Sequence, residues 1–297
     1  MIKKPNFFIL GAAKAGTTSL YNILANHPKV YFPFAKETAF FNDDRFFSKG
    51  LDWYLHTYFS GGETASAWGE ATPHYLYWSE KTAPRIQAAF GSQAVRLIII
   101  LREPVSRAYS WYWNMISEGQ EDLSFEDAVE AEPTRLEKNH ERLFSYGQMT
   151  YGYLRGGRYA DQIEPFLGCF PRENFLFLLQ DDLIHHFNEV ANQLISFLDL
   201  DPCSTLMPTH SNLAIQTRSH FLQKLLREPS PIKDFIKNTI SPKLSHQVKG
   251  LALKANSRPF QYPPISKATA MTLKAQFSAD NLRLSKIIDR DLSFWNE

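Results

Sequence analysis

A glycine-bounded loop near the N-terminus has the residue types and spacing of an anion-binding site. Residues 11–19 read GAAKAGTTS, with Lys14 inside the loop and a helix-like segment after it. Small residues let backbone N–H groups approach a phosphate closely, and the N-terminus of a following helix adds about half a positive charge. The alternative is an ordinary strand-to-helix turn that uses small residues for close packing. The predicted anion-binding residues are Lys14, Ala15, Gly16, Thr17, Thr18 and Ser19.

The loop departs from the motif of nucleoside-triphosphate-binding proteins, which is G-x-x-x-x-G-K-[ST]. Gly11 and Gly16 have the spacing of that motif, but Thr17 occupies the position of its lysine. The lysine that would contact the β- and γ-phosphates, and the pair that would hold Mg²⁺, are missing from their usual places. A nucleotide kinase stays open as an alternative, although the sequence lacks the residues that it needs.

Residues 12–20, AAKAGTTSL, resemble the 5′-phosphosulfate loop of sulfotransferases that use 3′-phosphoadenosine 5′-phosphosulfate (PAPS). The resemblance extends from Phe7 to Trp295 and is most specific before residue 115. It implies that PAPS is the donor substrate, that adenosine 3′,5′-bisphosphate is the product and that no metal is required. Lys14 would then be catalytic, because it neutralises the charge that grows on the leaving 5′-phosphate. A nucleotide-binding module without turnover is the second alternative.

The family pattern also requires an arginine after a strand and a serine on the next helix. Residues 95–113, VRLIIILREPVSRAYSWYW, supply both as Arg102 and Ser110. An arginine at the carboxyl end of a parallel strand faces the crevice in which such sheets bind ligands, and its guanidinium suits a phosphate. Ser110 shares a helix face with Ser106, four residues earlier. We expect Arg102 and Ser110 to bind the 3′-phosphate; the alternative is an Arg102–Glu103 ion pair and a solvent-facing serine.

The segment that is expected to act on the acceptor resembles that of the heparan-sulfate-type glycan sulfotransferases and their bacterial relatives. Residues 37–41, ETAFF, match an E-x-x-F-F segment of that group, which assigns the catalytic base to Glu37. Lys36 would add a positive charge beside it, whereas the alternative is a solvated charge pair. Neighbouring residues in a strand point to opposite faces, so only one of the two needs to face the crevice. His74 is a candidate substrate contact and the next candidate for the base. The alternative is a structural role for His74 among its aromatic neighbours.

Departures from the animal glycan enzymes leave the acceptor open. Those enzymes commonly have a lysine where this chain has Ala71, a histidine, where present, at Ala39, and a late cysteine pair that is missing here. We therefore expect a hydroxyl or amine of a glycan, a lipid or a specialised metabolite as the acceptor. In the late loop, residues 208–219, the resemblance implies a nucleotide-covering segment in which Arg218 binds the 3′-phosphate. The alternative is a plain surface loop in which Ser219 caps the helix that follows.

Composition and charge exclude several classes of protein. The chain has 297 residues, 32 lysines and arginines and 31 aspartates and glutamates, with a formal charge of +1. This balance argues against a bulk attraction to nucleic acid or to an anionic membrane. Cys169 and Cys203 have no metal-like spacing, so neither a disulfide framework nor a structural zinc site is expected. The apolar run from Phe7 ends at Gly11, and no stretch approaches the about 18 apolar residues of a membrane span. We expect a cytoplasmic protein that acts on a small-molecule or glycan acceptor.

Three apolar runs, Phe7–Leu10, Val95–Leu101 and Phe175–Leu179, are typical of buried parallel strands, and each precedes a helix-like segment. We predict a single P-loop-like α/β domain over residues 1–297, with a central parallel sheet flanked by helices and with C-terminal helices in 220–297. The predicted helices are Thr17–Asn26, Pro104–Ser117, a short helix within 118–141, Arg158–Leu167, a helix capped by Asp181 or Asp182 that reaches Leu198, and Ser266–Ile288.

Overall fold

The structure, a computed structural model, describes residues 3–62, 64–138, 147–203, 206–208, 215–217 and 255–297. The contacts of the chain divide it into two units. Unit 1 comprises Met1–Arg107, Arg155–Ser211 and Met271–Glu297, and unit 2 comprises Ala108–Leu154 and Asn212–Ala270. The single domain that the sequence predicts over residues 1–297 stays a prediction.

The centre of unit 1 is a five-stranded parallel sheet with the order β2-β3-β1-β4-β5. This sheet confirms the α/β prediction and contains two strands, β2 and β3, that the sequence did not reveal. Gly69 and Glu70 interrupt the apolar character of β3, which nevertheless pairs with the central strand β1. The strand bounds are β1 Phe7–Gly11, β2 Val30–Tyr31, β3 Ala67–Ala71, β4 Arg96–Leu101 and β5 Phe175–Leu179.

Eleven helices lie in the described part of the chain, and short 3₁₀ turns connect some of them. The predicted bounds of α6 are confirmed, whereas α7 has 14 residues and is not short. No helix within the described ranges is long and apolar enough to cross a membrane. The helices are α1 Thr17–Ala25, α2 Asp44–Phe47, α3 Leu51–Tyr58, α4 His74–Tyr77, α5 Ser79–Phe90, α6 Pro104–Ser117, α7 Phe125–Lys138, α8 Tyr159–Cys169, α9 Gln180–His185, α10 Phe187–Phe197 and α11 Lys267–Ile288.

The prediction of one helix from Asp181 or Asp182 to Leu198 is wrong. The segment forms two helices, because the backbone at His186 is not helical, with φ −129° and ψ 41°. No side chain caps α9, and both aspartates lie in its first turn. The Asp182 carboxylate instead accepts a hydrogen bond from the Arg290 guanidinium at 3.0 Å. The Asp182 side chain therefore forms a long-range ion pair and not the helix cap that the sequence pattern predicted.

Side chains of the central strands alternate between two hydrophobic layers. On β4, Leu97 and Ile99 belong to one layer and Ile98 and Ile100 to the other, all without solvent exposure. The first layer is covered by helices α3, α4, α5, α8 and α11, and the second is covered by α1, α9 and α10. Because both faces are covered, the strands are continuous apolar runs, as is usual for parallel sheets.

Parallel pairing brings three distant segments to one edge of the sheet. β1 ends at Gly11, β3 at Ala71 and β4 at Leu101, and these three strands are neighbours. The chain passes from β1 to β2 and β3 on one side, and then to β4 and β5 on the other. In open α/β sheets, ligands bind outside the carboxyl ends of the strands where the strand order reverses. The fold therefore directs the search for a functional site to this edge.

Unit 2 contains an ion pair between the buried Glu121 and the partly exposed Arg135. The Glu121 side chain is inaccessible to solvent, lies 2.6 Å from Arg135 and accepts a hydrogen bond from the Tyr153 hydroxyl at 2.7 Å. Strand β6, Ile215–Thr217, pairs antiparallel with β7, Ser257–Pro259, so the loop prediction is wrong at residues 215–217. The rest of the predicted late loop beyond residue 208, including Arg218 and Ser219, lies outside the described residues, as do residues 220–254.

Ile99→Ala is expected to lower the free energy of unfolding by about 2–5 kcal/mol, because it leaves a cavity beside the interior strand β4. Urea denaturation monitored by far-UV circular dichroism measures the change. The control is Leu282→Ala on α11, where the side chain is 62% exposed and the expected change is within about 0.5 kcal/mol. Equal effects of the two substitutions would contradict the assignment of the core.

Candidate active site

The loop between β1 and α1 is held close to the sheet. The Ala12 amide donates a hydrogen bond to the Ile100 carbonyl at 2.7 Å, which ties the loop to β4. A Cβ atom at Gly11 would lie 2.6 Å from Leu76 Cβ, so no side chain fits there. Gly16 has a φ of +103°, a conformation that favours glycine. The two glycines of the motif are thus explained by close approach and by backbone conformation.

Helix α1 presents its N-terminus at the end of this loop. Its N-cap, Gly16, has no side chain, and its first turn contains no acidic residue. Amides in the first turn of a helix lack intrahelical acceptors and carry partial positive charge. The side chains of Thr17 and Ser19 are buried, whereas that of Thr18 is exposed. The arrangement is suited to an anion, and binding itself stays a prediction.

Lys36 connects this loop to the predicted base. Its Nζ atom donates hydrogen bonds to Thr18 Oγ1 and to Glu37 Oε1, each at 3.1 Å. Residues 32–39 are not a strand, so the expectation that Lys36 and Glu37 point to opposite faces is wrong. The two side chains meet because the segment turns here. The pair is not fully solvated, since the Lys36 side chain is 22% exposed and that of Glu37 41%.

The charges around Glu37 favour its ionised form. Desolvation acts to raise the pKa of the Glu37 carboxyl, but Lys36, His74 and Lys14 together lower that pKa below its ordinary value. Burial lowers the pKa of the His74 imidazole, while the Glu37 charge acts in the opposite direction. The structure thus brings together four predicted residues: Lys14, Lys36, Glu37 and His74.

A second carboxylate, Glu70, lies at the end of β3 and has no solvent exposure. Its Oε1 atom accepts hydrogen bonds from the hydroxyls of Thr38 at 2.6 Å, Thr72 at 2.7 Å and Tyr75 at 2.6 Å. Its Oε2 atom accepts one from the Tyr54 hydroxyl. Burial raises the pKa of Glu70, and the hydroxyl donors act against this.

Sequence reasoning missed this cluster. The only local signal is a glutamate inside a segment, Ala67–Ala71, whose other residues are small or apolar. Nothing in the sequence pattern indicates that hydroxyls from residues 38, 54, 72 and 75 meet at that glutamate, because the contact depends on three distant segments. We call Glu70 and its four donors the Glu70 cluster.

Arg102 follows β4 and lies against the predicted anion-binding loop. Its Nη1 atom donates a hydrogen bond to the Lys14 carbonyl at 3.3 Å. The Glu103 carboxylate instead caps α6, because it accepts hydrogen bonds from the amides of Val105 at 2.8 Å and Ser106 at 2.7 Å. Among the described residues, no ion pair joins Arg102 to Glu103, so that alternative is not supported.

Ser110 and Arg218 are the other two residues assigned to the 3′-phosphate. Ser110 belongs to unit 2 and is 8% exposed, so it does not face solvent as the alternative required. Arg218 lies outside the described residues. The contacts of both residues with a phosphate stay predictions.

A family model described as the sulfotransferase domain matches residues 4–230, which is more than half of the chain. The chain belongs to the sulfotransferase family. This sulfotransferase is 24% identical to the bifunctional heparan sulfate N-deacetylase/N-sulfotransferase of Drosophila melanogaster, in an alignment covering 96% of the chain and 26% of the fly protein. It is 27% identical to the human bifunctional heparan sulfate N-deacetylase/N-sulfotransferase 3, covering 96% of the chain and 30% of that protein. The chain therefore spans less than a third of the length of these relatives.

The fold of this sulfotransferase is similar to that of a sulfotransferase from Alicyclobacillus acidocaldarius. The TM-score is 0.70 and the identity 26%, and the comparison covers 100% of both chains. The likeness confirms the predicted P-loop-like α/β fold with a parallel sheet flanked by helices. Within the parts of the sulfotransferase that the structure describes, no three His, Cys, Asp or Glu side chains form a cluster able to hold a metal ion.

Lys36→Met is expected to raise the pKa of the Glu37 carboxyl, because it removes a positive charge and a hydrogen bond of 3.1 Å. A lowered carboxyl pKa stabilises the folded state above the pKa of the unfolded chain, and this contribution is lost as the pH falls through the folded pKa. In Lys36→Met the loss begins at a higher pH. NMR titration of ¹³C-labelled glutamate carboxyls measures the shift.

Lys49→Met is the matched control for this titration. Lys49 lies 4.3 Å from the centre of the Trp53 ring and is not among the charges that act on Glu37. Its substitution should leave the Glu37 titration unchanged. Identical Glu37 titrations in Lys36→Met and the wild type would show that Lys36 does not set this pKa.

Proposed function

We propose that this sulfotransferase transfers a sulfuryl group from PAPS to a hydroxyl or amine of a glycan, a lipid or a specialised metabolite. The observation that carries the proposal is the contact of Lys36 with both Glu37 and Thr18. Through this contact a carboxylate lies beside the N-terminus of α1. Transfer of a sulfuryl group to a hydroxyl or amine needs a proton acceptor for the nucleophile and a binding site for the anionic donor, and the residues proposed for the two are adjacent here.

On the donor side, Lys14 and the amides of residues 15–19 would hold the 5′-phosphosulfate. The resemblance assigns Arg102 and Ser110 to the 3′-phosphate, which adenosine 5′-phosphate lacks. The hydrogen bond from Arg102 to the Lys14 carbonyl supports the assignment of Arg102, because it holds Arg102 beside the predicted anion-binding loop within unit 1. Arg218 remains a third proposed contact for the 3′-phosphate.

In the reaction, Glu37 takes the proton from the attacking oxygen or nitrogen while that atom forms its bond to sulfur. The bond between sulfur and the 5′-phosphate oxygen breaks, and Lys14 neutralises the charge that develops on that oxygen. Lys36 keeps the Glu37 carboxylate ionised before the acceptor binds, and His74 contacts the acceptor. The products are the sulfated acceptor and adenosine 3′,5′-bisphosphate, and no metal takes part in the proposed steps.

The relatives, and the departures of this chain from the animal enzymes, support the proposed range of acceptors. The fly and human relatives are named as heparan sulfate N-sulfotransferases, which supports an amine among the acceptors. Ala71 and Ala39 stand where animal glycan enzymes commonly have charged or titratable residues, which argues for a wider range of acceptors. Hydroxyls and amines therefore both belong in the first acceptor screen.

Adenosine 3′,5′-bisphosphate is expected to stabilise the protein without metal, and more than adenosine 5′-phosphate does, because Arg102 would hold the extra phosphate. At a ligand concentration about 100 times Kd, the gain in unfolding free energy is about 2.7 kcal/mol. Differential scanning fluorimetry measures both nucleotides, with ATP plus Mg²⁺ as the ligand expected for a kinase.

Arg102→Lys is the matched variant for this measurement. It should lose part of the preference for the bisphosphate, since a point charge cannot reproduce a two-pronged contact. Equal stabilisation of the wild type by the two adenosine nucleotides would contradict the assignment of the 3′-phosphate site. A larger shift with ATP plus Mg²⁺ would favour the kinase alternative.

Glu37→Gln is expected to lower kcat at least about a hundredfold, because the amide keeps the size of the side chain but cannot accept the proton. Binding of adenosine 3′,5′-bisphosphate should change little, since Glu37 acts on the acceptor. Turnover is measured with ³⁵S-labelled PAPS and two probe acceptors, de-N-sulfated heparin and 2-naphthol. Lys14→Ala is the contrasting variant, and it should weaken both binding and turnover.

Three results of this assay would redirect the proposal. Near wild-type turnover of Glu37→Gln would exclude Glu37 as the base and make His74 the next residue to test. Nucleotide binding by the wild type without turnover of any acceptor would favour the non-catalytic binding module. Loss of folding in Glu37→Gln would favour a structural role for the Lys36–Glu37 pair.

A further inference from the structure

The Glu70 cluster is built from four separate parts of unit 1. Thr38 belongs to the segment that follows Glu37, Tyr54 to α3, Thr72 to the turn after β3, and Tyr75 to α4. All four hydroxyls donate to one carboxylate, and Thr38, Tyr54, Thr72 and Tyr75 are all buried. The carboxylate is acceptor-only when ionised, so all four hydroxyls can donate to it at the same time.

The backbone directly after Glu37 is tied to the same cluster. The Phe40 amide donates a hydrogen bond to Thr38 Oγ1, and the Phe41 amide donates one to the Tyr75 hydroxyl, each at 3.3 Å. Ala39 has a φ of +54°, a left-handed conformation that a residue with a side chain adopts only when its surroundings impose it. The turn that begins at Glu37 is therefore held in its conformation by hydroxyls that Glu70 orients.

We propose that Glu70 is a positioning residue for the catalytic base, and this inference rests on the proposed function of Glu37. Glu70 holds Thr38 and Tyr75, these hold the backbone of residues 38–41, and that backbone sets the direction of the Glu37 side chain at the anion-binding loop. Glu70 itself has no solvent exposure and so does not contact the substrates.

The position of the base matters because a displacement of about 1 Å in a reacting group can cost about a hundredfold in rate. Glu37 is the more exposed of the two carboxylates, and within unit 1 its side chain is held by Lys36. A flexible lysine alone leaves the backbone of Glu37 free to shift. The Glu70 cluster restricts that backbone, so loss of the cluster should reduce kcat rather than the affinity for the donor.

Glu70→Gln is the first test, because an amide nitrogen placed among four hydroxyl donors forces at least one of them to reorient. We expect kcat to fall about 10- to 100-fold with the probe acceptor that the wild type uses, while the Kd for adenosine 3′,5′-bisphosphate stays within about twofold. Hydrogen–deuterium exchange of peptides covering residues 38–41 should become faster, and exchange in β1 and β4 should not.

Thr38→Val and Thr38→Ser form the second test, which stands even when Glu70→Gln does not fold. Thr38→Val removes the hydroxyl that joins Glu70 to the Phe40 amide, and it should lower kcat and speed exchange at residues 38–41. Thr38→Ser keeps the hydroxyl and should restore both. Tyr153→Phe is the control, because it removes a similar hydroxyl donor from a buried glutamate, Glu121 of unit 2. It should lower Tm and leave both kcat and exchange at residues 38–41 unchanged.

The two proposals fail in different ways. If the wild type transfers ³⁵S label but folded Glu70→Gln and Thr38→Val keep wild-type kcat and exchange, the positioning role is overturned and the proposed function stands. A kcat loss in Thr38→Val that Thr38→Ser does not reverse would also overturn it. If the wild type transfers no label, the proposed function fails, and faster exchange at residues 38–41 in Thr38→Val alone would still support the role of Glu70 in holding this turn.

Discussion

A carboxylate that is removed from water must receive its hydrogen bonds from the protein, and this requirement shapes the sheet edge at which the site lies. Leaving a buried polar group without a partner costs about 1–3 kcal/mol, and more for a charged group. Glu70 meets the requirement with four hydroxyls from four parts of unit 1. Each part can satisfy Glu70 in only a narrow range of positions, so α3, α4, β3 and the segment after Glu37 are fixed relative to one another.

The two carboxylates of this edge, Glu37 and Glu70, differ because their neighbours differ. Glu37 has Lys36, His74 and Lys14 around it, and together these groups lower its pKa despite desolvation. Glu70 has hydroxyl donors but no cation at hydrogen-bonding distance among the described residues, and burial raises its pKa. A carboxylate kept ionised beside the predicted anion-binding loop is suited to proton transfer. A carboxylate enclosed by hydroxyls is suited to holding structure.

The N-termini of α1 and α6, the two helices compared at this edge, also differ in how their first amides are satisfied. The first amides of α6 are satisfied within the chain, since Glu103 accepts hydrogen bonds from Val105 and Ser106. Helix α1 begins at Gly16, which offers no side-chain acceptor. The N-terminus of α6 thus has a side-chain cap and that of α1 has none, which agrees with the predicted anion-binding site at α1. This contrast explains why glycine and small residues precede α1, whereas a glutamate precedes α6.

The sequence by itself determined the parts of this protein that rest on local patterns. Continuous apolar runs predicted β1, β4 and β5, because strands covered on both faces need apolar residues throughout, and residues 11–19 predicted an anion-binding loop from glycine spacing and Lys14. Only the tertiary structure decided that Ala67–Ala71 is a strand beside β1, that Lys36 and Glu37 meet, and that Asp182 binds Arg290. These contacts join residues through turns and neighbouring strands, and Glu70 with its four donors is the clearest case. A buried polar cluster has no period along the chain, since it forms where the folded backbone brings compatible donors and acceptors within hydrogen-bonding distance.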